Sequence, residues 1–94
     1  MSDTVILHEP NRKGFFASVD GQEAELIYRV EPDGTLAYTH TYVPEALRGR
    51  GLAGKITRYA LQWARENGKT VRPVCSYVVS FVEKNPEFND ISAA

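Results

Sequence analysis

The sequence has almost none of the residues from which disulfide frameworks and cysteine-based metal sites are built. Its 94 residues include one cysteine, Cys75, which excludes an internal disulfide and a zinc cluster made of cysteines. It also has no excess of charge of either sign, since 11 lysines and arginines stand against 12 aspartates and glutamates. Because the chain as a whole does not attract polyanions, we expect no nucleic acid and no membrane partner, and any anion site must be local.

Long apolar runs are absent as well. No stretch is long enough to span a bilayer, and neither a signal-peptide-like run near Met1 nor a lipidation motif occurs. We therefore expect a cytoplasmic protein. A hydrophobic fraction of 43% in 94 residues is typical of one compact domain. The composition predicts a single domain over residues 1–94 and excludes a two-domain enzyme. We expect a monomer or weak homodimer, although the sequence does not fix the oligomeric state.

The first half of the chain is patterned for β-structure. The segments TVILHE, GFFASV, EAELIYRV and TLAYTHTYV are rich in β-branched and aromatic residues, and the turn sequences PNRKG, DGQ and EPDG separate them. In the third segment apolar residues alternate with more polar ones, as in a half-buried strand. The pattern predicts an antiparallel meander of adjacent strands from Asp20 to Val43.

The second half is patterned as helix, strand and helix. From Leu52 the apolar spacing changes to three and four residues, which predicts an amphipathic helix. The sequence ENG ends this helix, with Gly68 suited to a left-handed conformation. KTVRPVC then predicts a short strand, and SYVVSFVEKN predicts a second helix with Ser76 as its N-cap that ends at Pro86. The final NDISAA is expected to fray. The predicted fold class is α+β.

The junction between the meander and the first helix, RGRGLAGK, matches several phosphate-binding patterns. GRGLAG satisfies the dinucleotide pattern G-x-G-x-x-G, but the region about 20 residues further on is VCSY, which lacks the acidic residue that binds the ribose. GRGLAGKI comes within one residue of the P-loop pattern, but Ile56 stands where a hydroxyl must hold magnesium. The pattern R-x-x-G-x-A, formed by Arg48, Gly51 and Ala53, fits without exception.

With this motif between a strand and an amphipathic helix, the sequence resembles the GNAT acetyltransferase superfamily, whose [QR]-x-x-G-x-[GA] motif binds the pyrophosphate of acetyl-CoA. The segments HTYVP, VRPVCSYV and NPEF make it similar to the short, single-domain GNAT-like proteins, over roughly Gly14 to Asp90. The resemblance implies a minimal GNAT-like fold, in which the strand before the motif splays from the strand after the helix. It also implies acetyl-CoA as cofactor, CoA as product, an amine acceptor and no metal. Without a ligand, the same glycines would also suit a tight strand-to-helix turn.

The resemblance assigns the cofactor contacts to the loop and its flanks. Val43 would offer its backbone to the pantetheine arm, and loop amides would bind the pyrophosphate. The N-terminus of a helix attracts anions through its unpaired N–H groups and its dipole, and glycine lets phosphate oxygens approach the backbone. The side chains of Arg48, Arg50, Lys55 and Arg58 are candidates for the outer phosphates. The predicted cofactor-binding residues are Val43, Arg48, Gly49, Arg50, Gly51, Leu52, Ala53, Gly54 and Lys55.

The proton donor is harder to assign. Larger members of the superfamily commonly carry a tyrosine on the last helix that protonates the CoA thiolate, and the nearest equivalent here is Phe81, which has no proton to give. Cys75, Ser76 and Tyr77 remain near the expected thioester position, and the short GNAT-like proteins also carry Pro-x-Cys there. Cys75 is equally well interpreted as a small buried residue. On the strand before the loop, His40 is either a base for the acceptor ammonium or a structural histidine of the sheet.

The predicted reaction is direct transfer of the acetyl group to an amine in a ternary complex, with Cys75, His40 and Tyr77 as catalytic candidates. A covalent acyl-cysteine route through Cys75 is a variant of it. The alternative is a non-catalytic acyl-CoA-binding or regulatory module, which Phe81 and the missing front helices favour. A small interaction protein with an accidental glycine loop is a third interpretation. Parallel double-reciprocal lines would favour the covalent route.

Three further polar residues lie in the predicted strands. Glu23 and Glu25 are expected to be solvated, although either could line an amine-binding cleft. His8, next to an acidic residue in the first strand, is expected to be structural.

Overall fold

A computed structural model describes residues 4–93. Its order of elements confirms the predicted meander, helix, strand and short helix. The strands are β1 (Ile6–Glu9), β2 (Gly14–Val19), β3 (Gln22–Val30), β4 (Leu36–Tyr42) and β5 (Val71–Pro73), the helices are α1 (Leu52–Glu66) and α2 (Ser76–Lys84), and short 3-10 segments span Pro10–Arg12, Glu45–Leu47 and Pro86–Ile91.

The five strands form one sheet in the order β1-β2-β3-β4-β5. The first four are antiparallel, whereas β5 is parallel to β4 because α1 crosses between them. The parallel pairing ends with Tyr38 opposite Pro73, although β4 continues to Tyr42. The N–H groups of Val74 and Cys75 both donate to the Tyr38 carbonyl, at 3.1 and 3.0 Å. Beyond this point the two segments diverge, which is the predicted splayed pair.

A β-bulge lies at the start of this divergence. Ile27 of β3 is opposite His40, but Tyr28 is opposite Tyr38, so that Thr39 is an extra residue on β4. A bulge bends its strand and increases the local twist. The bulge therefore contributes to turning the last residues of β4 away from β5.

Both helices cover the same face of the sheet and share one buried core with it. The Tyr38 hydroxyl on this face donates to the Ala60 carbonyl of α1 at 2.7 Å. The opposite side, called the outer face here, carries the alternate residues of each strand. Its central members are Phe16, Glu25, Ile27, His40 and Tyr42. No helix within residues 4–93 is long and apolar enough to cross a membrane.

The predicted N-cap of α2 is wrong. Ser76 is the first residue of the helix, and Cys75 occupies the N-cap position with an extended backbone. The cause is the hydrogen bonding of Cys75, whose N–H is bound to Tyr38 while its carbonyl accepts the first helical bond, from Val79 at 3.0 Å. The cysteine sulfur is thereby placed at the N-terminus of a helix.

The prediction that the C-terminal segment frays is also wrong for the residues that the structure describes. A 3-10 segment continues to Ile91, Phe88 is only 1% exposed, and the Ala93 N–H donates to the Val71 carbonyl at 2.7 Å. The segment stays in place because it buries an aromatic ring and pairs with the second edge of β5. Ala94 lies outside the described residues.

Candidate active site

A cleft of about 230 Å³ lies at the N-terminal end of α1, between the segment that follows β4 and Tyr77 of α2. Its walls consist of glycines, apolar side chains, one arginine and one tyrosine. The structure thus brings together all the predicted cofactor-binding residues except Arg50 and Lys55, and adds Leu47 and Tyr77. The lining residues are Val43, Leu47, Arg48, Gly49, Gly51, Leu52, Ala53, Gly54 and Tyr77.

The loop before α1 has a backbone that favours glycine at two positions. Gly49 has φ +84° and Gly51, the N-cap of α1, has φ +76°, values that residues with a Cβ rarely adopt. A Cβ at either position would meet no atom within 4 Å. The space beside these glycines is therefore open to a ligand, which could approach the N–H groups that the first turn of a helix leaves without intrahelical acceptors.

The first turn of α1 also lies against α2. A Cβ at Gly54 would be 3.3 Å from the Tyr77 hydroxyl and 4.0 Å from the Phe81 ring. Glycine at this position lets α2 approach, and the Tyr77 hydroxyl lies beside the first turn of α1.

The arrangement of loop, cleft and diverging strands has counterparts among known proteins. The profile of the GCN5-related N-acetyl-transferase family matches residues 14–91. The chain belongs to this family. Protein NATD1 of Xenopus tropicalis is 31% identical over 81 residues, which cover 84% of this chain and 74% of that protein. The Bos taurus protein of the same name is 32% identical over 81 residues, which cover 84% and 72%.

A solved member shares the fold of this GCN5-related chain. The solution structure of a GCN5-like protein from Staphylococcus aureus matches with a TM-score of 0.76 and 26% identity, covering all of this chain and 92% of that one. The predicted fold class is confirmed by this match and by the order of the elements.

Arg48 and Val43 are connected across the cleft. The Arg48 Nε donates to the Val43 carbonyl at 3.0 Å. This bond fixes the start of the loop to the end of β4. A carbonyl oxygen can accept two hydrogen bonds, so the backbone of Val43 can still contact a pantetheine arm through its carbonyl or its N–H.

Arg50 and Lys55 belong to a neighbouring cavity of about 140 Å³, which shares Leu52 with the cleft. Arg50 also approaches Asp20, with its Nη1 3.5 Å from the carboxylate. Asp20 belongs to the β2–β3 turn, so this contact ties the turn to the glycine loop. The two cations are thus positioned beside the cleft and not within it.

The candidate role of Arg58 in phosphate binding is not supported by its position. Its guanidinium donates to Glu87 at 3.1 Å and to Asn85 at 2.9 Å. Arg58 therefore connects α1 to the C-terminal segment and contributes to folding.

Cys75 lies between β4 and α2, with its Sγ 3.6 Å from the Thr41 hydroxyl. Burial alone would raise the pKa of the thiol. Hydrogen bonding with the Thr41 side chain and with the backbone of Val78, Tyr77 and Thr41 together outweighs burial and lowers the pKa of Cys75. The thiol is therefore a stronger acid than an ordinary thiol, and it lies at the divergence of the strands.

His40 has a partner that the sequence did not reveal. Its Nε2 is 3.6 Å from a carboxylate oxygen of Glu25 on the outer face. His40 is more than half exposed, so solvent or a substrate can reach it. The other histidine, His8, is structural as expected, since it stacks on Phe15 and Trp63 and its Nε2 is 2.8 Å from the Tyr28 hydroxyl.

Sequence reasoning missed Thr41 and the pairing of Glu25 with His40. No sequence pattern indicates the role of Thr41, because that role depends on its contact with Cys75, which is 34 positions away. Strand alternation alone does not predict that Glu25 and His40 lie on the same face of the sheet. Their pairing depends on the register between β3 and β4, which includes the bulge at Thr39.

Proposed function

We propose that the protein is an acetyl-CoA-dependent N-acetyltransferase that transfers the acetyl group directly to an amine. The observation that carries this proposal is the cleft formed by the glycine loop, the first turn of α1 and Val43. Val43 directly follows β4, whose last residues no longer pair with β5. An elongated ligand with its anionic end at the loop and its reactive end along β4 fits this arrangement.

The residues of the cleft fit such a ligand. The open space beside Gly49 and Gly51 suits a pyrophosphate, since the N-terminus of α1 supplies N–H donors and a favourable dipole. The apolar side chains of Val43, Leu47 and Leu52 suit a pantetheine arm. Arg50 and Lys55, in the adjoining cavity, are available to further phosphate oxygens.

Acetyl-CoA supplies an acetyl group that is activated as a thioester. In the proposed reaction His40, directly or through one water, takes a proton from the acceptor ammonium, and the free amine nitrogen bonds to the acetyl carbon. A backbone N–H of the diverging part of β4 stabilises the negative charge that develops on the acetyl oxygen. The carbon–sulfur bond breaks, the Cys75 thiol gives its proton to the leaving sulfur, and the nitrogen of the new amide loses its second proton to solvent. Solvent then restores the proton of Cys75 and removes that of His40.

Cys75 is preferred to Tyr77 as the proton donor because of where each group lies. The Tyr77 hydroxyl is beside Gly54 in the first turn of α1, whereas Cys75 touches Thr41 on the diverging strand. The lowered pKa of Cys75 makes it a stronger acid than an ordinary thiol. Tyr77 is therefore assigned to cofactor contact.

Calorimetry with acetyl-CoA and CoA, followed by CoA release against a panel of amines, tests the proposal. Saturable binding and amine-dependent release are expected, with intersecting double-reciprocal lines. Parallel lines would instead favour an acyl-cysteine at Cys75. Binding without release for any amine would establish the non-catalytic alternative, and the absence of binding would refute both.

A further inference from the structure

The pair formed by Glu25 and His40 lies on the outer face of the sheet, opposite the helices. On β3 the neighbours of Glu25, Ala24 and Leu26, are fully buried against the helices, so the alternation of the strand directs Glu25 to the other side. His40 is opposite Ile27, one position along the same face. This places the carboxylate and the imidazole together on an open surface.

Glu25 differs from the other acidic residues near this face in its partner. Glu9 and Glu23 both pair with Arg12, and Glu31 pairs with Arg72 at 2.8 Å. An arginine carries its charge at every relevant pH, so those carboxylates are already neutralised. Glu25 faces an imidazole instead, which is uncharged in the form that can act as a base. Its carboxylate therefore retains a charge that a cation can use.

Aromatic side chains lie on both sides of Glu25 in the same cross-strand row. Phe16 is opposite Glu25 on β2, and Tyr42 is opposite it on β4. The Phe16 ring is already covered by the Arg12 guanidinium, 3.8 Å from its centroid. Tyr42 is 45% exposed. A carboxylate beside an accessible aromatic ring is a favourable place for an ammonium group.

His40 and Cys75 lie on opposite sides of the same stretch of β4. His40 is on the outer side of this stretch, and the next residue, Thr41, touches Cys75 on the helix side. Because β5 no longer pairs with β4 beyond Tyr38, the two sides of the sheet meet at the edge of this part of β4. A group held beside His40 is therefore separated from Cys75 by β4 alone.

We infer that Glu25 and Tyr42 form the acceptor subsite and select a primary alkylammonium, which they hold beside His40. The inference rests on the proposed function. Glu25 attracts and orients the ammonium, so that it acts as a specificity-determining residue and His40 remains the base. The open surface suits an ammonium on a flexible chain, such as a lysine side chain or a polyamine, and neutral arylamines gain nothing from Glu25.

An NMR titration of the whole protein with n-butylammonium, and with n-butanol as the neutral isostere, tests the subsite without requiring turnover. The ammonium should shift the amides around Glu25, His40 and Tyr42 saturably, and butanol should not. Glu25→Gln should lower the affinity for n-butylammonium about tenfold or more. Glu23→Gln, a change on the same strand and face, should leave this affinity unaltered. Equal shifts in wild type and Glu25→Gln would overturn the inference.

Two further arms make the result specific. A peptide with a single lysine and spermidine distinguish the two sources of the ammonium, and both must lose affinity in Glu25→Gln if the subsite is correct. Calorimetry with acetyl-CoA on the same variant should give wild-type affinity. Wild-type protein that does not bind acetyl-CoA would refute the proposed function, whereas normal acetyl-CoA binding with an unchanged amine response in Glu25→Gln refutes only the subsite.

Discussion

The glycine loop is made by consecutive residues, 48–54, whereas the Glu25–His40 pair joins side chains from two strands across the outer face. The loop works through backbone conformation and helix position, both of which neighbouring residues determine. The pair depends on a sheet register that includes a bulge at Thr39. A site of the first kind can be predicted from a short motif, and a site of the second kind requires the assembled sheet.

The largest expected effect lies in the loop. Gly51→Glu should lower acetyl-CoA affinity by about 10³-fold or more, because the side chain enters the open space beside the loop and its charge repels phosphate. Calorimetry on the folded variant measures this. Gly34→Glu is the matched control: Gly34 also has a positive φ, +91°, and open surroundings, but lies in the β3–β4 turn. Its affinity should be unchanged. Equal losses in both variants would mean that strain, not the site, is responsible.

The next effect tests a region that is made only by tertiary contacts, the C-terminal segment. Phe88→Ala should lower the free energy of unfolding by about 3–5 kcal/mol, since it removes a ring that is 1% exposed. Urea denaturation measures the loss. Asp90→Ala removes only a surface ion pair with Arg65, at 2.6 Å, and should cost about 1 kcal/mol or less.

Hydrogen exchange gives a second readout for this segment. The Ala93 amide, bound to the Val71 carbonyl, should be protected in wild type and in Asp90→Ala. If this amide exchanged in the wild type as fast as in an unstructured chain, the sequence-based prediction of a frayed C-terminal segment would be correct after all.

Cys75→Ala should lower turnover by about 10²-fold with near-normal cofactor affinity, in line with the loss of a general acid. Steady-state kinetics and calorimetry on one preparation separate the two quantities. Alkylation of the wild-type thiol should be fast and should be slowed by bound acetyl-CoA.

The two measurements together distinguish the possible roles of Cys75. Normal turnover in Cys75→Ala, with alkylation still blocked by the cofactor, would show that the residue only lines the site. Ser76 or Tyr77 would then become the candidate donor. Slow alkylation both with and without cofactor would place the thiol in the packed interior, away from the reaction.

The smallest expected effect concerns His8, the structural histidine, and is an effect on stability. Burial lowers the pKa of His8, so the unfolded chain takes up its proton at a higher pH than the folded chain. Stability should therefore decline as the pH falls below about 6.5 and should be insensitive to His8 above it. Urea denaturation of wild type and His8→Phe across this range measures the difference. An identical pH dependence of both proteins would show that His8 does not contribute.

The parts of the molecule that the sequence predicts correctly are those with local causes. These features are patterns within short segments of the chain. They are the alternation of β3, the three- and four-residue spacing from Leu52 and the glycines around Arg50. The N-cap of α2 was missed because a carbonyl of β4, at Tyr38, decides where that helix begins.

The position of Arg58 was missed for the same kind of reason. A basic residue on the first helix near a phosphate motif suggests an anion contact, but the folded C-terminal segment supplies Glu87 and Asn85 as partners. Those residues are 29 and 27 positions away, a distance at which no local pattern connects them. Long-range partners of charged side chains therefore remain the least predictable part of the site.

The proposed function requires acetyl-CoA to occupy the cleft between the glycine loop and the diverging strand. An NMR titration of labelled protein with acetyl-CoA tests this directly. We expect saturable shifts that are largest for the amides of residues 48–54, extend to Thr41 and Cys75, and leave the distant turn at 33–35 unchanged. Shifts centred elsewhere, or none at saturating concentration, would contradict it.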